Sequence, residues 1–297
     1  MELRDLKTFV AVASLLNFNQ AGKALHAAQS TVSVRVQTLE EELGVRLFDR
    51  LGRRVILTEA GERLLGYGQK MLDLEEEARS WVSGEATVRG SLTVRIPESL
   101  CTWRLPGVLR LFQARCPNVR LRLIPCAFDG LVEDLRRGVT DLAFVLAAEI
   151  PYRDMRAAFL GTEQLVVVAA PDNPLVSRKS IGPLDFQDQM LLFSTSDCSY
   201  RRIFEGCLAE AGCRPPIGVE CGSVAAIRHF VMAGLGVTVL PEVAIRSDVT
   251  SGRLAVLPWE DGPLEAGVLM VWHKDKWISS AMAGFMELCR EHLAASG

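Results

Sequence analysis

Four arginines, Arg46, Arg50, Arg53 and Arg54, fall within nine residues around Leu51-Gly52, and such a cluster can neutralise the phosphates of a nucleic-acid backbone. A second chemistry is offered by Cys198, which begins the run Cys198-Ser199-Tyr200-Arg201-Arg202. A thiol at a helix N-terminus beside two arginines has a lowered pKa and its thiolate can attack peroxide, whereas Asp197 acts in the opposite direction. A third is hydrogen bonding by hydroxyls set between strand-like and helical runs: Ser99, Thr102, Ser196, Ser199 and Ser223. Unpaired N–H groups at a helix start add an attraction for anions and polar heads. Enzyme signatures are missing, with no Gly-x-Ser-x-Gly elbow, no Walker loop and no His-Glu-x-x-His. No catalytic residue, and hence no enzyme, is expected. The four histidines are scattered and none of the eight cysteines forms a Cys-x-x-Cys pair, so neither a metal nor a cofactor is expected.

The elements that must position these groups belong to a chain of 297 residues, 49% hydrophobic and 23% charged. That length favours two domains and that composition a globular protein. A net charge of −3 means that any contact with nucleic acid comes from a local patch. No run of 18 apolar residues occurs, and Met1-Glu2-Leu3-Arg4-Asp5 is not the start of a signal peptide, so a cytoplasmic protein without a membrane partner is expected. Most cysteines are then expected as buried thiols.

Leu3, Leu6, Phe9, Val10, Ala13 and Leu16 recur at helical spacing and predict a first helix. Ala21, Ala24 and Leu25 mark a short second one with Asn19 as its N-cap. A third runs from about Ser30 to Leu43, with Val32, Val36, Leu39 and Leu43 as its buried stripe and Gly44 as its terminator. Two strand-like runs flanking Leu51-Gly52 follow, so the start reads as a helix-turn-helix with a basic β-wing. Opposite the buried stripe, the third helix presents Ser30, Thr31, Val34 and Thr38, with Arg35 to one side. From Thr58, Ala60, Leu64, Tyr67, Met71, Leu74, Ala78 and Trp81 alternate at four and three residues, an a/d seam that needs a partner helix. Ser83 to Thr87 is polar and reads as a hinge. Beyond Gly90 strands alternate with helices, the signature of an α/β sheet. The expected strands are 92–96, 119–125, 142–146, 164–170, 190–194, 219–221, 237–240 and 267–272, with a final helix at about 279–295. The run Glu40-Glu41-Glu42 reads as a solvated helix face.

Over the first sixty positions, Phe18, Ala21, Ala24-Leu25-His26, Gln29-Ser30, Val32-Ser33, Leu39 to Arg50, Arg53 and Leu57-Thr58-Glu59-Ala60-Gly61 resemble the winged helix-turn-helix of the LysR-type transcriptional regulators. Phe112…Pro117, Gly138…Asp141-Leu142-Ala143 and Gly234-Leu235-Gly236-Val237…Leu240-Pro241 resemble that family's effector-binding half, which is similar to bacterial periplasmic binding proteins. The implied fold class is α/β with an N-terminal all-α winged helix-turn-helix, the effector domain being two Rossmann-like α/β subdomains. The implied division is 1–58 for DNA binding, 59–89 for a dimerising linker helix and hinge, and 90–297 for the effector domain. Subdomain I is 90–162 with 266–297, and subdomain II is 163–265.

The resemblance implies a regulator that binds a near-palindromic operator on double-stranded DNA as a dimer of dimers and responds to a small molecule in the cleft. RNA polymerase is a further implied partner. The expected DNA-binding residues are Gln29, Ser30, Thr31, Ser33, Val34, Arg35, Arg53 and Arg54. The family commonly has an arginine where Val34 stands, so Val34 is expected on a thymine methyl and Arg35 on a phosphate or a flanking base. Strand ends and helix N-termini hold ligands in such a fold. Hence Ser99, Thr102, Ser196, Ser199 and Ser223 are expected as donors. Leu100, Cys198, Phe128 and the Val145-Leu146-Ala147-Ala148 run complete the expected effector site. Cys198 and Cys207 have the spacing of the disulfide pair of the peroxide-sensing branch, which makes redox sensing an alternative. They sit nine residues apart, so a bond would require helix unwinding. A solute-binding protein, the alternative of another class, would need an export signal.

Overall fold

The computed structural model describes residues 1–51, 54–83, 88–125, 130–195, 198–260 and 262–293. Three helices, α1 (Leu3–Leu15), α2 (Phe18–Ala24) and α3 (Gln29–Leu43), precede the hairpin β1 (Phe48–Leu51) and β2 (Arg54–Leu57), and α4 (Glu59–Ser83) leads away from it. Leu6, Phe9, Phe18, Val32, Val36, Leu39 and Phe48 form one apolar core under the three helices. Phe48 carries the hairpin into it, with its ring centroid 5.4 Å from Phe9 and 5.7 Å from Phe18. The cap of α2 is Asn17, whose side chain accepts from the N–H groups of Asn19 and Gln20, rather than the expected Asn19. Leu43 is exposed, because the chain turns at Gly44 (φ 68°) before anything covers it. Thr58 caps α4, its hydroxyl accepting from Gly61 N–H at 3.0 Å.

The remainder is built on β3 (Arg89–Ile96), α5 (Leu105–Arg115), β4 (Asn118–Pro125), α6 (Leu131–Arg137), β5 (Leu142–Leu146) and β6 (Met155–Ala169). There follow β7 (Leu191–Phe193), α7 (Ser199–Glu210), β8 (Ile217–Glu220), α8 (Val224–Met232), β9 (Thr238–Pro241), α9 (Glu242–Thr250), β10 (Ala255–Val256), β11 (Glu265–His273) and α10 (Ser280–Leu293). In the first lobe β3 lies parallel to both β4 and β5, and β11 closes against β5 antiparallel. In the second, β7 and β8 pair in parallel while β9 and β10 flank the far half of β6. Hydrophobic alternation explains the sheet: Leu92, Val94 and Ile96 of β3 are buried with Phe112 of α5 and Phe285 of α10, whose rings meet edge to face at 5.2 Å.

Two long antiparallel strands, β6 and β11, join the lobes. The sequence predicts a strand only from Gln164, but β6 starts at Met155. Its first half is mostly only partly buried or exposed and carries no apolar alternation, which is why pattern reading misses it. The ladder slips between Val268 and Leu269, opposite Gly161, whose φ of 139° is suited to glycine. Gly236 of the Gly-x-Gly run has a packing role, since a Cβ there would overlap the carbonyl oxygen of Met190.

Candidate functional site

Two regions gather the residues singled out by sequence. The first is the face of α3. Gln29, Ser30, Thr31 and Val34 are exposed on it, Val34 at 61%, and Ser33 and Arg35 are half-buried at its margins. Gln29 Nε2 donates to Ser33 Oγ at 2.8 Å, one turn on, so the two amide and hydroxyl groups present a joined polar edge. The turn that sets α3 against α2 is tight: a Cβ on Gly22 would come within 2.8 Å of the Ala27 carbonyl oxygen. Among the glutamates read as solvated, Glu40 has a specific structural role. Its Oε1 accepts from the N–H groups of Leu47 at 2.7 Å and Phe48 at 3.2 Å, fixing the first strand of the hairpin to α3. Gly52, Arg53 and the side chain of Arg54 lie outside the described residues; the backbone of Arg54 stands opposite Leu51 in the hairpin.

The second region is a cavity of about 260 Å³ at the junction of the lobes. Pro97, Glu98 and Ser99 after β3, Pro125 at the end of β4, and Val145 and Leu146 at the end of β5 form its first-lobe wall. Ser194 and Thr195 after β7, the α7 start at Cys198, Ser199 and Tyr200, and the α8 start at Gly222 and Val224 form the other. The Ser99 hydroxyl bonds across the junction to the Tyr200 hydroxyl. Burial pushes that phenol well above its ordinary range, against the effect of its hydrogen bond with Ser99, so it stays a neutral hydroxyl. Behind it Arg104 reaches Glu163 of β6 at 3.2 Å, a carboxylate only 3% exposed.

The cavity thus brings together Ser99, Cys198 and Ser199 with the Val145-Leu146 wall. Ser223 sits one place behind the wall, as N-cap of α8. Four expected residues are placed elsewhere, among them Ala148, which is exposed and outside the cavity lining. Leu100 is buried in the hydrophobic core. Thr102 is exposed on a π-helical turn, Leu100–Arg104, whose wider spacing rotates it off the cavity side. Ala147 follows β5 and packs beside Val145, Leu269 and Val271 without lining the cavity, its N–H donating to the Gly267 carbonyl at 2.8 Å. Phe128 and Ser196 lie outside the described residues.

Sequence reasoning missed Glu98, Thr195 and Tyr200. Glu98 lies two residues beyond the end of β3, the one signal available, but its partners are more than a hundred residues away.

Cys198, the N-cap of α7, and Cys207, in its third turn, are half-buried thiols. Nine helical residues separate them by roughly 13 Å along the axis, against the roughly 4.4–6.8 Å between Cα atoms that a disulfide tolerates. Arg201 is not the thiol's counter-ion. It donates to Ser194 O at 2.9 Å, Glu220 at 2.7 Å and Glu205 at 2.9 Å, and stacks over Phe193. Burial pushes the Cys289 thiol up to about 12 and those of Cys101, Cys116 and Cys213 upward. No group of metal-binding side chains occurs among the described residues, and no helix among them is long and apolar enough to cross a membrane.

A winged helix-turn-helix carried by a long helix on a two-lobed cleft module defines a DNA-binding regulator with a ligand-binding domain. Family models match both parts: the bacterial regulatory helix-turn-helix protein of the lysR family over residues 3–62, and the LysR substrate binding domain over residues 85–294. An uncharacterised HTH-type transcriptional regulator of Bacillus subtilis (strain 168), YwqM, is 37% identical across 98% of this chain and 99% of its own. The RuBisCO operon transcriptional regulator of Acidithiobacillus ferrooxidans is 32% identical across 96% and 92%. Among solved structures, a full-length single-substitution variant of OxyR from Pseudomonas aeruginosa superposes with a TM-score of 0.75 at 26% identity, covering 99% of this chain and 94% of that one. The chain belongs to the LysR-type transcriptional regulators, DNA-binding proteins and not enzymes.

Proposed function

We propose that the protein is an effector-responsive transcriptional regulator. Residues 1–58 bind DNA, 59–89 pair subunits and connect, and 90–297 sense a small molecule between subdomains I and II. The observation that carries this reading is the cavity between the lobes, polar on the α7 side and apolar at Val145 and Leu146. Its volume lies just below the roughly 300–1,000 Å³ of drug-sized pockets, which suits a small metabolite. Both walls are already bridged, by Ser99 to Tyr200 and by Glu98 to α8, so lobe closure and ligand contact involve the same residues. A ligand shifts the equilibrium only by binding one lobe arrangement better than the other.

Pairing along α4 is supported by what that helix leaves uncovered. Ala60 and Leu64 pack near the DNA-binding core, but Tyr67, Met71 and Leu74 are 59%, 40% and 47% exposed along one stripe. Two chains joined there carry two recognition helices, which calls for a near-palindromic operator, and a pair of such dimers gives the tetramer. Gln29, Ser30, Thr31, Ser33, Val34 and Arg35 then read or anchor the major groove, with Arg53 and Arg54 on the flanking backbone. RNA polymerase is the partner at the promoter.

The test is a nuclease footprint on DNA upstream of the protein's own gene, with and without a panel of small organic acids, and before and after mild peroxide. A protected region whose length changes with one of the acids is the expected result. No footprint overturns the reading, and a peroxide response abolished by Cys198→Ser replaces the small effector with thiol sensing.

A further inference from the structure

Two helices of the second lobe begin at the cavity, and their N-termini are treated differently. At α8 the carboxylate of Glu98, from the first lobe, is the bound anion. Its Oε2 accepts from Val224 N–H at 2.9 Å, and its Oε1 accepts from Ser223 Oγ at 3.2 Å and Ala225 N–H at 3.4 Å. Three donors on one carboxylate at the positive end of a helix is the arrangement a captured acid would make. At α7 no described side chain plays that part. The N-cap Cys198 makes no capping bond, and the Ser199 hydroxyl, on the cavity wall in a residue 9% exposed, has no hydrogen bond to a described residue. Among the described residues no lysine or arginine lines the cavity, so helix N–H groups and hydroxyls are what it offers an anion.

We propose that Glu98 sets the ligand class of this site: by filling the α8 N-terminus it stands in for one carboxylate, so the site takes a small monocarboxylate at α7 and rejects dicarboxylates. This rests on the effector reading above and narrows it. A diacid long enough to span the cavity brings its second carboxylate against Glu98, with the helix donors already engaged; the like charges repel and the incoming oxygens find no partners. A monoacid places its apolar end toward Val145 and Leu146 and meets neither obstacle.

The experiment is calorimetric titration of the full-length protein and its Glu98→Gln and Glu98→Ala forms with butyrate and succinate, together with melting curves of each form with and without acetate. The wild type is expected to bind butyrate at least tenfold more tightly than succinate. Glu98→Ala is expected to gain at least tenfold for succinate, and Glu98→Gln, which keeps an acceptor and the side-chain shape without the charge, a smaller gain. Acetate should raise the melting temperature of Glu98→Ala by several degrees more than that of the wild type, by entering the vacated helix end. Binding without discrimination between the two acids, or succinate affinity unchanged in Glu98→Ala, overturns this assignment alone. Silence of both acids with all three forms, with no acetate effect, overturns the carboxylate assignment at both helix ends and leaves the effector reading to the footprint.

Discussion

Gly66 of α4 lies directly against the carbonyl oxygen of Arg137, the last residue of α6, so closely that a Cβ at Gly66 would overlap it. This is one of the places where α4 touches the α/β half; β3 is another. Arg137 also reaches Glu62 at 3.1 Å, and Lys70 lies over Gly138. Helix propensity alone makes Gly→Ala stabilising by about 1 kcal/mol. Here the overlap is with backbone, which cannot rotate away, and overpacking costs about 1–3 kcal/mol. Gly66→Ala is therefore expected to speed hydrogen exchange in α6 and to lower the melting temperature. Slower exchange and a higher melting temperature would show that the two helices are not docked in this way.

The exposed stripe Tyr67, Met71 and Leu74 makes oligomerisation sensitive to one charge. Burying one leucine contributes about 1.5–3 kcal/mol, so Leu74→Asp is expected to weaken self-association by about 10- to 100-fold or more. Sedimentation velocity across a dilution series measures this, and an unchanged dimer would remove α4 from the interface.

On DNA, Arg35→Ala and Arg53→Ala should each weaken operator binding. If the contact is to phosphate, the slope of log affinity against log salt falls by about one for each. If Arg35 instead reads a base, its loss costs about 1–3 kcal/mol at one operator position with little change of slope. Filter binding at several salt concentrations separates these outcomes, and wild-type affinity and slope would retire the residue concerned.

Asp73 of α4 faces Ser91 of β3, and burial raises its pKa above the ordinary carboxylate value of 3.8; the hydrogen bond from Gln69 acts in the opposite direction and nearby Asp141 adds to the rise. A raised folded pKa means that the folded protein holds this proton more tightly than the unfolded chain does. The associated stability is fully present below pH 3.8 and is lost as pH rises through the higher folded value. Asp73→Asn removes the ionised form, so its melting temperature relative to wild type should be higher at neutral pH than at about pH 4. Parallel melting curves across that range would count against the assignment.

Much of the architecture is legible in the sequence because it rests on periodicity and caps: β5 occupies the residues its apolar run marks, and Gly44 ends α3. What was not legible has a common cause. Asn17 rather than Asn19 caps α2 because the choice depends on where Phe18 must enter the core. Met155 to Glu163 of β6 form a strand because β11 pairs with them, not because of their own pattern. Thr102 lies near Ser99 and Ala147 next to Leu146 in sequence, but Thr102 falls on a π-helical turn and Ala147 beyond the end of β5, and neither lines the cavity. Glu98 became a candidate only when folding set it against Val224.

The two strands that join the lobes are hydrogen-bonded to each other along most of their length, and their ladder skips at one point, between Val268 and Leu269 beside Gly161. A joint of this kind behaves as a leaf spring rather than a loose tether. Its stiffness is spread along paired backbone, and its compliance is concentrated where the pairing is already broken. Relative rotation of the lobes would therefore be narrow in amplitude and reproducible in direction.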